Sequence, residues 1–429
     1  MKKIEPSPHA YDFQPTFEIN GSSILQNLKN IRDTSGRKIC PILKSNAYGY
    51  GVERVGNIIK NHVSHMGICS NTDAFTLRRI CEFKGSIIRV RLSSPAEVLD
   101  QSQKKLGIEE MSGSIRNLGE IDCLLAKNNL ECRIHICLNS FGMGRDGFSV
   151  HDDDEIKATF LSCQSIERRG NIKIVGVCSH IPYEDEHKFR KDFVSFIRST
   201  EIAKEYLPNM REVHALNSYY SLRPNLIPPQ SRDVLTFDRI GCSLFGHLDN
   251  DRLEDFQLKR AGSFYARVTD IFFRSKGDTV GYNSAYIVKD PVGEWHANIS
   301  VGWLHLSKSS FPIDKKIYVV SDHKTLHQIV GEPSMNTIVC KCIDISSEYS
   351  LKQNDKVYFF GSLLNERDVQ KKIKSSEGYV IGMSDCSEAS INVGSCYDVQ
   401  IIHKQDTKWT NAAVKRDSHD LGCLQKDVS

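Results

Sequence analysis

A lysine closes the apolar run of "PILKSNAYGYG", residues 41–51, and a polar turn carrying Gly49 and Gly51 follows it. An amine held where a buried strand meets a loop can lose solvent, drop in pKa and become a nucleophile for Schiff-base chemistry. The same position suits a lysine that simply reaches out to water, which is the default for any lysine on its own. Lys44 has company. Further polar residues stand at the C-terminal ends of other apolar runs: Arg89 and Arg91, Asn139, His180, His214 with Asn217, and Arg239.

The elements that must position these residues alternate. "KICPILK" precedes a helix-period stripe of Val52, Val55, Ile58, Ile59 and Val63; "HMGICS" precedes "TDAFTLRRICEF"; "SIIRVRLS" precedes "PAEVLDQS". The rhythm runs on through a weak fourth strand at "MSGSIR", then "CRIHICLN", "IKIVGVCSH", "REVHALN" and "DVLTFDRIGCSLF". Such βαβα alternation implies parallel strands with helical crossovers. Eight strand candidates by about residue 245 suit a (β/α)₈ TIM barrel, whose C-terminal strand ends form a catalytic rim. After about residue 250 the pattern becomes short alternating runs, among them "SFYARVTDIFFRS", "KIYVVS" and "KVYFFGS". These predict a mainly β second domain. The expected division is a barrel over 15–250, a β domain over 251–403 and a loosely ordered polar tail over 404–429.

Bulk properties narrow the function. A 429-residue chain with 40% hydrophobic and 25% charged residues is long enough for two cores and has an ordinary globular composition. A net charge of +3, with both signs interspersed, gives no footprint for nucleic acid or an anionic membrane. No P-loop occurs, and no GxGxxG follows a strand. The start "MKKIEPSPHAYDF" lacks the apolar stretch of a signal peptide, so a cytoplasmic location is expected, or a periplasmic one if a leader has been removed. Of 14 cysteines, Cys40, Cys69, Cys137, Cys178 and Cys242 lie in apolar runs, as free thiols in a reducing compartment would. Cys340 and Cys342 alternate like same-face strand residues without the second half of a zinc site, and no metal is expected.

"LKSNAYGYG" resembles the cofactor-lysine motif of the alanine racemase family, the fold type III pyridoxal-phosphate enzymes, which carry close variants of K-A-N-A-Y-G-H-G. In the same chain order, "TFEINGSSILQNLKNIR", "SHIPYEDE", "VHALNSYYSL", "FDRIGCSLFG", "GDTVGYNSAY", "ISVGW" and "GEPSMNT" are similar to successive family blocks, over about residues 15–400. The resemblance implies that Lys44 holds pyridoxal 5'-phosphate covalently. Tyr48, Asn217, Ser218 and Gly241 would cup its phosphate, and Arg239 would face its ring nitrogen. It implies two acid/base groups, Lys44 and Tyr282, on opposite faces of the substrate α-carbon, with His180 in a network with Arg239. It also implies a homodimer, because Tyr282 and Met335 would reach each site from the partner subunit.

The departures bear on substrate. In "HICLNSFGMGRDGF", Leu138 is read at the place where alanine racemases carry a lysine that is often carbamylated. The block looks instead like that of the broad-specificity amino-acid racemases. Asn139 would then be the amide of that pattern and Arg145 the guanidinium that binds the substrate carboxylate. Arg89 and Arg91 match the same subfamily's paired arginines, which would put Arg91 among the substrate-binding residues with Arg145, Asn139, Met335 and Trp303, although Arg91 also reads as surface charge. Trp303 replaces a substrate-side tyrosine, and Leu304 and His305 replace the polar pair after it. Asn336 stands where alanine-specific members often have aspartate. The expected activity is racemisation of free amino acids, broad or non-alanine in specificity, with lysine- or arginine-sized side chains the first guess. A decarboxylase, a non-catalytic carrier of the cofactor and an inactive relative are the alternatives.

Overall fold

The computed structural model describes residues 13–144, 147–149, 152–248, 253–306, 316–342, 350–365, 379–380 and 398–402. Strand β1 (Thr16–Asn20) runs straight into helix α1 (Gly21–Ser35). The Asn20 side chain accepts from the Ser23 N–H at 3.0 Å, and Gly36 at φ 70° ends the helix, so both ends are capped by the residue types such ends favour.

The parallel strands follow: β2 (Lys38–Pro41), β3 (His65–Ile68), β4 (Ser86–Leu92), β5 (Ile108–Ser112), β6 (Cys132–Cys137), β7 (Ile172–Cys178), β8 (Glu212–His214) and β9 (Phe237–Ile240). Strands β3 to β8 pair in sequence order, and β2 pairs with β9. The two sheets join through a bridge between Ile42 and Gly67 on one side. On the other, the Thr236 N–H donates to Val213 O at 2.9 Å and the Arg239 N–H to Leu216 O at 3.0 Å. The ring of eight is thereby closed, as expected of a TIM barrel. Between the strands run α2 (Lys44–Tyr48), α3 (Val52–Ile59), α4 (Asn71–Phe75), α5 (Pro95–Gln103), α6 (Ile115–Lys127), α7 (Asp153–Glu167), α8 (Glu186–Tyr206) and α9 (Ser218–Ser221). Cys40, Ile42, Ile88, Met111, Cys137, Cys178 and Phe237 fill much of the interior.

The fourth barrel strand begins at Ile108, ahead of the expected "MSGSIR". Its pattern is hidden because Glu109 and Glu110, both fully buried, interrupt the apolar run. Each is balanced in three dimensions: Glu110 Oε2 accepts from buried Arg89 Nε at 2.6 Å, and Glu109 Oε2 lies 3.0 Å from His135 Nε2. Burial pushes the Glu109 carboxyl up, but His135 and Arg133 outweigh it and hold the pKa down at about 2.

The second sheet contains β10 (Gly262–Arg274), β13 (Glu294–Ile299), β14 (Ile317–Ser321), β15 (Leu326–Val330), β16 (Ile338–Lys341) and β17 (Lys356–Phe360), beside a short hairpin of β11 (Thr279–Val280) and β12 (Tyr286–Ile287). Strands β10, β17, β14, β15, β16 and β13 pair in a cycle that returns to β10. Strands β18 (Tyr379–Val380) and β19 (Asp398–Ile402) add to its edges.

One expectation is corrected here. Strand β1, read as the start of the barrel domain, pairs antiparallel with β10 and parallel with β19, so it belongs to the second sheet. Its Phe17 and Ile19 pack in one apolar cluster with α1, Tyr50, Phe264 and Phe360, which ties the barrel to the sheet. The expected tail over 404–429 lies outside the described residues. Among the described residues no helix is long and apolar enough to cross a membrane.

Candidate active site

The site begins with the segment after β2. Ser45, Asn46, Ala47 and Tyr48 all have φ between 53° and 56°, so α2 is one turn of left-handed helix built from residues other than glycine. That conformation costs roughly 1–2 kcal/mol per residue and persists only where surroundings enforce it. Here the Asn46 side chain accepts from the Val52 N–H at 3.0 Å, and Gly51 N–H donates to Asn46 O at 2.8 Å. Tyr50, fully buried, stacks on Phe245 at 4.1 Å. The turn carries Lys44 and Tyr48 to the barrel mouth together, with the Lys44 Nζ 5.5 Å from the centre of the Tyr48 ring.

Both line a cavity of about 310 Å³ at the C-terminal rim, together with Asn139, His180, Asn217, Ser218, Arg239 and Gly241. They arrive from five strand ends, those of β2, β6, β7, β8 and β9. A Cβ on Gly241 would lie 2.2 Å from the Tyr48 hydroxyl, so only glycine allows that hydroxyl to sit there. The Gly241 N–H donates to Ser218 Oγ at 3.3 Å, and Asn217 ties its turn to the neighbouring loop through Ile181 O at 3.1 Å. Arg239 Nη2 donates to Ser179 O and, at 3.2 Å, to Ala215 O, and lies 3.5 Å from His180 Nδ1. The Asn139 side chain accepts from Gly144 N–H at 3.1 Å and so shapes the loop leading to residue 145. Phe189 of α8, stacked on Tyr220 at 4.0 Å, backs these loops, and the Tyr220 hydroxyl donates to Tyr183 O at 3.1 Å.

The arrangement suits a phosphorylated, covalently held cofactor. A hydroxyl from Tyr48, a hydroxyl from Ser218 and backbone at Gly241 meet at one end, as a phosphate requires. An exposed primary amine and a guanidinium share the same cavity. Lys44 is itself exposed, so the barrel walls alone do not desolvate it as the sequence suggested.

Other expected residues lie elsewhere. Arg91 and Arg89 point away from the interior because the alternate positions of β4, Ile88, Val90 and Leu92, face inward. Arg91 is held outside the cavity by Glu97 and by Cys69 O at 3.0 Å, which corrects its expected place at the substrate. His214 sits one layer below the rim, fully buried, where burial first and the Arg239 charge second hold its pKa well below the usual histidine value. The interior-facing residue before Asn139 is Cys137 by strand alternation, whereas the Leu138 side chain belongs to the outer apolar cluster. Neither can carry a carbamate. Arg145 lies outside the described residues. Met143, Glu184 and Cys242 also line the cavity, and only their places in family-like blocks could have signalled it.

Tyr282, Met335 and Trp303 do not line the cavity. Their loops meet beside the second sheet. Tyr282 bridges to Glu332, Trp303 N–H donates to Ser334 O at 3.1 Å, and Leu304 N–H donates to Met335 O at 3.0 Å. A Cβ at Gly302 would lie 2.3 Å from Ser334 O, so that glycine is what lets the two loops touch. Tyr282 is 63% exposed and Met335 47% exposed, unusual for large side chains with no partner surface.

Comparison with known proteins agrees with this fold. The family model for the alanine racemase N-terminal domain matches residues 19–249. The chain is 28% identical over 368 residues to a lysine racemase of Proteus mirabilis, covering 84% of each chain. It is 28% identical over 374 residues to a broad specificity amino-acid racemase of Pseudomonas putida, covering 85% of each. An alanine racemase of Clostridium difficile 630 shares the fold, with a TM-score of 0.74 and 20% identity over 92% of this chain and 97% of that one. With over half of its length matched, the chain belongs to the alanine racemase family.

Proposed function

We propose that this chain is a pyridoxal 5'-phosphate-dependent racemase of free amino acids, broad or non-alanine in specificity, working as a homodimer. The observation that carries this reading is the convergence of Lys44, Tyr48, Ser218, Arg239 and Gly241 on one rim cavity. When bound, the cofactor supplies an electron-accepting ring that makes the substrate α-proton acidic. The chain's own groups do the rest.

Lys44 Nζ would hold the cofactor and, when not bound to it, could carry a proton. Tyr48 Oη, Ser218 Oγ and the Gly241 backbone hold the phosphate end. Arg239 would face the ring nitrogen with N–H donors alone and would leave it unprotonated. A weak electron sink limits side reactions such as transamination. Tyr282 of a second subunit supplies the opposite face. Of the pair Lys44 Nζ and Tyr282 Oη, the deprotonated one removes the α-proton and the protonated one returns it from the other side. The β region carrying Tyr282 acts as a domain that completes a neighbour's site, consistent with the exposure of Tyr282 and Met335.

The absence of a lysine at both Cys137 and Leu138 and the tryptophan at 303 support a pocket unlike that of alanine-specific enzymes. The lysine and broad specificity relatives point the same way. A panel of L-amino acids, scored for D-product by chiral chromatography and for α-proton exchange in deuterated water, tests both levels. Turnover of several non-alanine substrates is expected. Activity on alanine alone would overturn the specificity, and no exchange with any substrate would overturn the racemase.

A further inference from the structure

Below the rim, the barrel interior holds groups that racemisation does not use. Barrels fill such layers mainly with branched apolar side chains. Here His65 of β3, Glu109 of β5, His135 of β6 and Glu212 with His214 of β8 share the space, every one of them buried. Phe237 of β9 stacks on His65 at 4.7 Å and on His214 at 4.5 Å.

We propose that Glu109, His135 and Glu212 form a binding site for a divalent first-row metal ion, with zinc as its representative. Glu109 Oε2 lies 3.0 Å from His135 Nε2, and Glu212 Oε2 lies 3.6 Å from the same nitrogen. The ligand atoms of all three residues fall within 4.8 Å of one another. Ligands about 2.0–2.2 Å from a tetrahedral zinc are separated by roughly 3.3–3.6 Å, so these atoms stand close to ligating positions already.

The remaining atoms are occupied in the manner of an outer shell. Glu109 Oε1 accepts from Ser86 Oγ at 3.1 Å and lies 3.2 Å from Arg133 Nε and 3.6 Å from Arg211 Nη2. Glu212 Oε1 lies 3.1 Å from His65 Nε2 and 3.9 Å from Arg211 Nε. His135 Nδ1 lies 3.2 Å from His214 Nε2, which holds the ring in place. Each prospective ligand is thus oriented from behind, and a metal ion would replace the hydrogen bond that joins Glu109 Oε2 to His135 Nε2. Glu212 Oε2 is the independent sign: its residue is only 8% exposed, yet among the described residues this oxygen has no hydrogen-bond partner. A buried carboxylate oxygen calls for a donor or a cation. The sequence gives no ligand spacing because the three residues come from three strands, and the expectation of no metal reflects that.

A water molecule is the competing occupant, since Arg133 and Arg211 already oppose the two carboxylate charges. The full-length protein is equilibrated with zinc sulfate, dialysed against metal-free buffer, and its zinc counted by mass spectrometry and probed by X-ray absorption at the zinc edge. About one retained zinc per chain is expected, with a nitrogen and oxygen shell at about 2.0–2.1 Å. Glu212→Gln and His135→Asn should lose it. A wild-type protein that keeps no zinc would overturn the proposal in favour of water. So would a sulfur shell near about 2.3 Å, which would assign the zinc to cysteines. Should either variant fold poorly, the wild-type count and shell decide by themselves.

Discussion

The barrel rim and the loops of the second sheet each gather polar and aromatic residues, but only the rim builds a cavity around them. Lys44 and Tyr48 after β2, Ser218 after β8 and Arg239 of β9 face one enclosed space. Tyr282, Trp303 and Met335 come from three loops held together by backbone hydrogen bonds; Tyr282 and Met335 face outward, and Trp303 packs partly buried against the apolar cluster behind them. The rim is a half-site that encloses, and the sheet presents a half-site that projects. A projecting half-site is useful when it fills a second copy's cavity, and a two-fold axis makes that exchange reciprocal.

The largest expected effect tests that reciprocity. Lys44→Ala and Tyr282→Phe homodimers should each lose activity by at least about 10²–10⁴-fold, the usual worth of an acid/base group. Tyr282→Phe alone should keep the bound cofactor's visible absorbance. Random reassociation of the two variants makes half of the dimers mixed, each with one intact site, so about a quarter of wild-type activity should return. Mixed dimers that form but stay inactive would place both groups in the same subunit.

A smaller effect sharpens the enclosing half. In Gly241→Ala the new Cβ would sit 2.2 Å from the Tyr48 hydroxyl, which must move. Cofactor retention, read by titration, should weaken by roughly tenfold to a hundredfold, or about 1.4–2.8 kcal/mol. Unchanged retention would remove Tyr48 from the phosphate cup.

The smallest effect concerns a residue that the fold withdraws from the site. Arg91→Ala should leave kcat and KM within about twofold and cost about 0.2–1 kcal/mol of stability, the range for a solvent-screened ion pair. The hydrogen bond from Arg91 is the main reason the Glu97 carboxyl is held down at about 2. Because that folded value is depressed, the contribution is complete above the unfolded value of about 4.3 and fades as pH falls towards 2. The advantage of wild type over Arg91→Ala should therefore be full above about pH 4.3, shrink as pH falls and vanish below about pH 2, so that wild type denatures in acid at no higher a pH than the variant. A large rise in KM for Arg91→Ala would return this arginine to the substrate.

Much of this molecule is written locally. Strands such as "IKIVGVC" and stripes such as Val52, Val55 and Ile59 declare their period, because burial of one face leaves a trace in neighbouring residues. The lysine at the end of "PILK" and the glycine of "DRIG" mark the rim for the same reason. Other features leave no such trace. The left-handed turn of Ser45–Tyr48 is imposed by Asn46 and the packing of Tyr50, and four ordinary residues do not announce it. Strand β5 is masked by Glu109 and Glu110, whose charges are balanced by side chains from other strands.

Sequence alone therefore determined which elements form, that eight of them alternate with helices, and which family carries the lysine motif. Tertiary structure decided that β1 pairs with β10, that Arg91 faces Glu97 and not the cavity, and that Glu109, His135 and Glu212 meet below the rim. The division has one physical cause. Secondary structure follows from residues within a turn or two of one another, whereas strand pairing, facing and convergence are settled by distant residues competing for the same buried space.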